Sequence, residues 1–204
     1  MKADHLEILV EEQSSEAFLN CVLPRILTGE QTFQIHVYQG KNDLLRKLEG
    51  RLRGYSKWLP DNARIVVLLD RDASDCKILK QKMETAATAS GMATKTTSAD
   101  GLWRIANRIA IEELEAWFFG EWASVKTAYP NVAANVVGKA AYRQSDHVAG
   151  GTWEAFERVL QKYGYFNGGL RKVEAATAVG RHFDPNLCLS PSFVSFKNAI
   201  IEAI

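Results

Sequence analysis

The stretch RIVVLLDRD, residues 64–72, joins a continuous apolar segment to two aspartates. An apolar segment without polar interruption is typical of a strand that is covered on both faces, as in a parallel sheet between helices. The i, i+2 spacing places Asp70 and Asp72 on the same side of the chain if the backbone stays extended. The stretch therefore predicts a buried strand with two carboxylates at its carboxyl end.

Strand and helix patterns alternate on both sides of this segment. The predicted strands are short and apolar or alternating, and they cover residues 6–10, 33–38, 64–69, 92–97 and 105–111. The helices predicted between them cover residues 16–27, 44–59 and 77–90. Because such alternation requires crossover connections, we expect an α/β fold with a mostly parallel sheet of about four strands flanked by helices.

The pattern changes after residue 120, where a predicted helix within residues 112–120 ends. The later segments share helical periodicity and glycine-bearing joints, and they read AAYRQ, TWEAFERVLQKYG, LRKVEAATAVGRHF and SFVSFKNAIIEAI. We expect an α/β domain over residues 1–120 and a C-terminal helical extension over residues 121–204 that packs on it.

Composition and charge exclude several classes of protein. The 25 Lys and Arg residues nearly balance the 24 Asp and Glu residues, so the net charge of +1 indicates no particular partner. No apolar run approaches the ~20 residues that a membrane helix needs. Cys21, Cys76 and Cys188 are far apart and form no CxxC motif, which favours buried free thiols in a reducing compartment. We therefore expect a soluble cytoplasmic protein.

Carboxylates follow two of the predicted strands, since Glu11 follows the first and Asp70 and Asp72 follow the central one. Ligands bind beyond the carboxyl ends of strands in open parallel sheets. Three unpaired carboxylates there would repel one another, and Mg²⁺ resolves this because it prefers oxygen ligands. The alternative is that these acids only form turns, with Asp72 or Asp75 capping the next helix.

A second acidic cluster, EELE, begins at residue 112 and repeats the i, i+2 spacing at Glu113 and Glu115. This spacing is compatible with a pair of metal ligands. Acidic residues are also favourable at a helix N-terminus because they interact with the helix dipole. From the residues alone, both readings stay open.

Three motifs in this order resemble the Toprim domain, namely VEEQSSEAF, LLDRDASDC and EELEAWFFG, residues 10–18, 68–76 and 112–120. The sequence is more closely similar to Toprim-like bacterial proteins of unknown function, related to nucleases of the overcoming-lysogenization-defect type. The resemblance implies metal ligands at five acidic positions, which are Glu11, Asp70, Asp72, Glu113 and Glu115. It assigns catalytic roles to four of them, which are Glu11, Asp70, Asp72 and Glu115.

The resemblance also implies an activity, hydrolysis of phosphodiester bonds in DNA or RNA with Mg²⁺ or Mn²⁺ as cofactor. No tyrosine is marked as a nucleophile, so a nuclease is favoured over a topoisomerase. The resemblance further suggests a role in defence against phage beside an ATPase partner. The alternatives are a non-catalytic subunit that binds nucleic acid or an ATPase through a vestigial metal site, and nucleotidyl transfer or phosphatase activity on small substrates.

Basic residues offer a candidate surface for nucleic acid. Arg46, Lys47 and Arg51 lie on the helix after the second strand, and Lys47 and Arg51 are i, i+4 neighbours. Lys172 lies in a later segment with a looser likeness to the same family. Such a set can contact a phosphate backbone. The alternative for the three helical residues is the solvated side of an amphipathic helix.

Overall fold

The computed structural model describes residues 2–27, 29–99, 101–148 and 150–204. Its strands are β1 (His5–Val10), β2 (Thr32–Val37), β3 (Ala63–Asp70) and β4 (Ile105–Ala110). They form a four-stranded sheet in the order β2-β1-β3-β4, and every pairing is parallel. The predicted α/β fold with a parallel sheet of about four strands is confirmed.

Helices flank this sheet and continue to the C-terminus. The helices that connect the strands are α1 (Gln13–Ile26), α2 (Lys41–Trp58) and α3 (Cys76–Ala89). Those that follow the sheet are α4 (Glu115–Gly120), α5 (Trp122–Ala128), α6 (Thr152–Lys162), α7 (Lys172–Gly180) and α8 (Pro191–Ala203). Two short 3-10 segments, Val136–Gly138 and Ser145–His147, lie between α5 and α6.

The central strand β3 is buried along its whole length because both faces of the sheet are covered. Val66 and Leu68 belong to one apolar cluster, and Ile65, Val67 and Leu69 belong to the other. This alternation follows from the strand geometry, in which successive side chains point to opposite faces. The first cluster includes α1 and the later helices, and the second includes α2 and α3.

The segments after residue 120 share the first apolar cluster with the sheet domain. The ring of Trp117 in α4 lies 5.8 Å from Phe18 of α1, 5.1 Å from Phe193 and 5.3 Å from Phe196 of α8. Trp117 Nε1 also donates a hydrogen bond of 2.9 Å to Ser192 Oγ. These contacts join α8 to α4 and α1, and α8 also packs against β3 and β4. The domain boundary at residue 120 stays a prediction.

Three details of the predicted secondary structure are wrong. The strand predicted at residues 92–97 is reduced to an isolated bridge between Thr94 and Ile105, because the amide of Thr97 bonds locally to Thr94 Oγ1 at 3.1 Å. The helix after β1 begins at Gln13, before the predicted residue 16. The segment AAYRQ forms turns, and its Tyr142 ring stacks on Phe119.

The three cysteines are free thiols in the structure. Cys188 is buried as predicted, whereas Cys21 and Cys76 are only half-buried. Within the described ranges, no helix combines the length and the apolar character that crossing a membrane requires.

Candidate functional site

The candidate site lies at the carboxyl ends of β1 and β3, from which the chain continues in opposite directions. These strands are neighbours, with Val10 paired to Leu68. Helix α1 follows β1 towards the β2 edge, and α3 follows β3 towards the β4 edge, on the opposite face. In open α/β sheets, ligands bind at such a switch point beyond the carboxyl ends of the strands, and the region around Glu11, Asp70 and Glu115 is called the carboxylate crevice below. Glu11 and Asp70 lie at this crevice, and the Asp70 amide donates a hydrogen bond of 2.7 Å to Glu11 Oε1.

The Glu11 side chain is buried, with 7% of the residue exposed. Burial raises the pKa of this carboxyl above its ordinary value, and the negative charges of Asp72 and Glu12 raise it further. The hydrogen bond from the Asp70 amide and the charge of Lys41 oppose this rise without cancelling it. Glu11 is therefore an acid that resists ionisation unless more positive charge is supplied.

The Asp70 carboxylate is more deeply enclosed, with 5% of the residue exposed. Burial raises its pKa well above the ordinary value, and four carboxylates add to the shift, namely Glu11, Glu115, Glu12 and Asp72. None of the described residues donates a hydrogen bond to this carboxylate. A deeply placed carboxylate without a donor or a bound cation is costly, so Asp70 indicates a ligand in the crevice.

Glu115, the first residue of α4, joins the same group of acids. It is 1% exposed, and its Oε2 has no hydrogen-bond partner. Burial raises the pKa of this carboxyl to about 7, with Glu113 and Glu12 adding to the rise and Lys172 opposing it. The sequence placed Glu115 among the candidate ligands, and the structure places its charge within range of Asp70.

Asp72 lies at the rim of the crevice, because the chain turns after β3. Its φ of 46° is in the left-handed region, and its amide bonds to the Glu112 carbonyl at 2.8 Å. The extended geometry assumed for the D-x-D pair is therefore absent. The side chain is half exposed and forms an ion pair of 2.6 Å with Lys41. Its charge still raises the pKa of Glu11 and Asp70, so Asp72 contributes to the field of the site.

Glu113 contacts the start of helix α6. Its Oε2 accepts hydrogen bonds from Thr152 Oγ1 at 3.0 Å and from the Trp153 amide at 2.9 Å. A carboxylate in this position caps the helix and interacts favourably with its dipole. The structure thus gives Glu113 a structural contact, while its charge still adds to the pKa of Glu115.

The acids can be tested for their fit to a divalent cation. Across the part of the chain that the structure describes, no three Asp, Glu, His or Cys side chains converge on one point as a closed metal site would require. Mg²⁺, however, is usually held by one or two carboxylates together with waters and substrate phosphate. Asp70 and Glu11, which meet at the ends of neighbouring strands, offer hard oxygen donors of this kind, so the residues fit an open site.

The predicted basic residues occupy two separate places. Arg46 and Lys47 form ion pairs with Asp43 at 2.6 and 2.8 Å, and these hydrogen bonds lower the pKa of Asp43 to about 2. Arg51 donates to the ring of His36 at 3.1 Å. These residues lie on α2 and already have partners. Their role in binding nucleic acid stays a prediction.

Lys172, by contrast, lies in the carboxylate crevice. Burial lowers its pKa, but the nearby charges of Glu115, Glu12, Glu113 and Asp70 outweigh this effect, and the pKa is raised overall. Its ammonium group also lies 5.3 Å from the centre of the Trp153 ring. The side chain predicted to contact nucleic acid is thus under the influence of the charges of four acids.

Sequence reasoning missed Lys41, which helps to form the rim of the site. Its Nζ donates to the Arg71 carbonyl at 2.9 Å and to Asp72 Oδ2 at 2.6 Å. Gly40, with a φ of 88°, precedes it and donates its amide to the Glu11 carbonyl at 2.8 Å. A glycine and a lysine shortly after the end of β2, at this edge of the sheet, were the signal that could have identified it.

These features define an α/β protein with a carboxylate-lined crevice at the switch point of its parallel sheet. Over residues 10–201 the chain matches the family described as a domain of unknown function, DUF4276, and it belongs to that family. Searches of curated proteins and of solved structures gave no match. The matched family is neither a Toprim nor a nuclease family, so the relationship of this chain to Toprim domains stays a prediction.

Proposed function

We propose that this protein hydrolyses phosphodiester bonds with Mg²⁺ or Mn²⁺ held in the carboxylate crevice. The observation that carries the proposal is the Asp70 carboxylate, which is 5% exposed and accepts no hydrogen bond from the described residues. Natural proteins rarely leave such a group without compensation. A hard divalent cation is the partner that suits several carboxylates at once.

Each acid has a proposed role that follows from its position. Asp70 and Glu11 bind the cation, and the Asp70 amide orients Glu11 through their hydrogen bond. Glu115, with a pKa of about 7, can hold or release a proton near neutral pH at its unpartnered Oε2. Asp72 and Glu113 adjust the charge of the site from its rim. When bound, the cation supplies Lewis-acid stabilisation of charge developing on a phosphate.

The resemblance of the sequence to Toprim domains supports this proposal without being required by it. Glu11 follows β1, Asp70 ends β3 with Asp72 just beyond it, and the second acidic pair follows β4, in one parallel sheet. The further expectations rest on the resemblance alone. They are a DNA or RNA substrate, a cytoplasmic location, and a role in phage defence beside an ATPase partner.

The second candidate function is a non-catalytic subunit with a vestigial metal site, which binds nucleic acid or an ATPase. The observation that favours it is that no three potential ligands converge within the described residues. The charges of Lys41 and Lys172 also partly neutralise the acids without any metal. Such a crevice resembles a site whose cation has been replaced by lysines.

Nuclease assays with purified protein test the main proposal. Labelled single-stranded and double-stranded DNA and RNA are incubated with Mg²⁺, Mn²⁺ or a chelator. The wild type is compared with Asp70→Asn, with Glu115→Gln and with the control Glu49→Gln, which alters a half-exposed acid on α2. We expect cleavage by the wild type and the control, and loss of at least about 100-fold in the two site variants.

Two outcomes would redirect the proposal. Equal cleavage by all four proteins would place the activity elsewhere or in a contaminant. No cleavage by any of them, together with metal binding by calorimetry, would favour the non-catalytic subunit.

A further inference from the structure

Lys172 is the cation of the crevice that has no fixed partner. It is the first residue of α7, and its half-buried side chain lies beside the Trp153 ring, 5.3 Å from the ring centre. Among the described residues, its ammonium group makes neither a hydrogen bond nor a direct ion pair. The electrostatic attraction of the acids therefore holds it in the crevice without locking it to one of them.

Four acids act on this ammonium group through their charge, and none of them forms an ion pair with it among the described residues. Glu115, Glu12, Glu113 and Asp70 all stabilise its charged form. Two of these acids, Asp70 and Glu115, carry carboxylate oxygens that accept no hydrogen bond from the described residues. Lys172 therefore supplies positive charge to these acids, while Lys41 supplies it to Glu11.

Lys41 provides the contrast within the same site. Its Nζ is hydrogen-bonded to the Arg71 carbonyl and to Asp72, at 2.9 and 2.6 Å. These bonds fix Lys41 at the rim, where it holds the loop after β3. Lys172 has only an aromatic contact and a flexible four-carbon chain, so its ammonium group is free to move when the charge around it changes.

We propose that Lys172 is the resident counter-ion of the carboxylate crevice, that a divalent cation binding to the same acids drives its ammonium group away by repulsion, and that the displaced group then contacts a substrate phosphodiester. This inference rests on the metal site of the proposed function. It adds an order of events, because the phosphate contact becomes available only after the cation has bound. Lys172 would then make the affinity for phosphate depend on the metal.

The Lys172 ammonium group and a divalent cation compete for the same acids because both are positively charged. An ammonium group and a divalent cation that seek the same carboxylates repel each other strongly at short range in a poorly solvated crevice. Removing the ammonium group therefore improves metal binding, whereas a residue that supported the metal would weaken metal binding when removed. The sign of the change in affinity distinguishes the two roles.

Titration calorimetry with Mn²⁺ tests the displacement. The proteins are the wild type, Lys172→Met, Lys172→Gln, and the control Lys162→Met, which alters an exposed lysine on α6. We expect both Lys172 variants to bind Mn²⁺ about tenfold more tightly, as removal of one nearby unit charge predicts, and the control to be unchanged. The melting temperature without metal confirms that each variant is folded.

Each other outcome contradicts a stated claim. Equal or weaker Mn²⁺ binding by the Lys172 variants would overturn displacement and leave the metal site intact. Absence of Mn²⁺ binding in every protein would overturn both the metal site and the displacement.

Fluorescence anisotropy with a labelled single-stranded oligonucleotide tests the phosphate contact, with Ca²⁺ replacing the catalytic cation. We expect Ca²⁺ to tighten binding by the wild type and by Lys162→Met. Addition of Ca²⁺ should increase the oligonucleotide affinity of Lys172→Met and Lys172→Gln only slightly, because these variants lack the ammonium group. An equal increase in oligonucleotide affinity in all four proteins would contradict the proposed contact between Lys172 and phosphate.

Discussion

The Asp70 amide donates a hydrogen bond of 2.7 Å to Glu11 Oε1, which joins residues 59 positions apart at the carboxyl ends of two neighbouring strands. The bond orients the Glu11 carboxylate across the crevice. It does not involve the Asp70 carboxylate, which is left buried and without a donor among the described residues. One acid is thus positioned by the backbone, while the other is left free for a ligand.

The buried acids should make the metal-free protein less stable as the pH rises. Glu115 has a pKa of about 7, above its ordinary value, so the folded state binds more protons than the unfolded state between about pH 4.5 and 7. Its contribution to stability is complete below this range and is lost as the pH passes through 7. Burial raises the pKa of Glu11 and Asp70 as well, which adds to the effect.

Thermal unfolding in chelator between pH 5 and 8 measures this dependence. We expect the melting temperature of the wild type to fall across the range, and that of Glu115→Gln to fall less. Glu49→Gln, which alters a half-exposed acid, should behave as the wild type does. Parallel curves for all three proteins would contradict the raised pKa of Glu115.

Divalent metal should reverse this loss of stability. At pH 8, millimolar Mn²⁺ or Mg²⁺ should raise the melting temperature of the wild type, since a ligand that binds only the folded state stabilises it by mass action. Asp70→Asn should have a higher melting temperature without metal, because it removes a repelling charge, and a smaller shift with metal. The same shift in both proteins would show that Asp70 is not a ligand.

Glu113 should contribute more to the stability of α6 than to metal binding. Glu113→Ala removes the acceptor for Thr152 Oγ1 and the Trp153 amide, which should cost about 1 kcal/mol in the free energy of unfolding. Glu113→Gln keeps an acceptor oxygen and should lose less. Urea denaturation measures the difference, and equal stability of Glu113→Ala and the wild type would exclude the capping role.

A pair of glycine variants tests the packing between α4 and the start of α8. A Cβ on Gly120 would lie 2.8 Å from the Ser190 backbone nitrogen, so Gly120→Ala should destabilise the protein by roughly 1–3 kcal/mol. Gly50, inside α2, has no heavy atom within 4 Å of an added Cβ, so Gly50→Ala should stabilise it by about 0.4–1 kcal/mol. Urea denaturation measures the free energy of unfolding of both variants. A change of the same sign in both would contradict the close approach of Gly120 and Ser190.

The sequence alone predicts the fold and the centre of the site for one physical reason. The apolar stretch of residues 64–69 requires cover on both faces of a sheet, and alternating helices make that sheet parallel. Parallel strands end at the same edge, so acids that directly follow them meet there. Glu11 and Asp70 are brought together in this way, and their hydrogen bond shows it.

Only the tertiary structure determines the positions of the remaining charged residues. Asp72 departs from its expected side because its φ of 46° turns the chain, and Glu113 is drawn to the N-terminus of α6. Lys172 enters the crevice because α7 packs on α1, where a Cβ on Gly180 would lie 3.1 Å from Cys21 Cβ. Local patterns carry no information about contacts between residues so far apart in the chain, so these placements depend on the packing of the whole molecule.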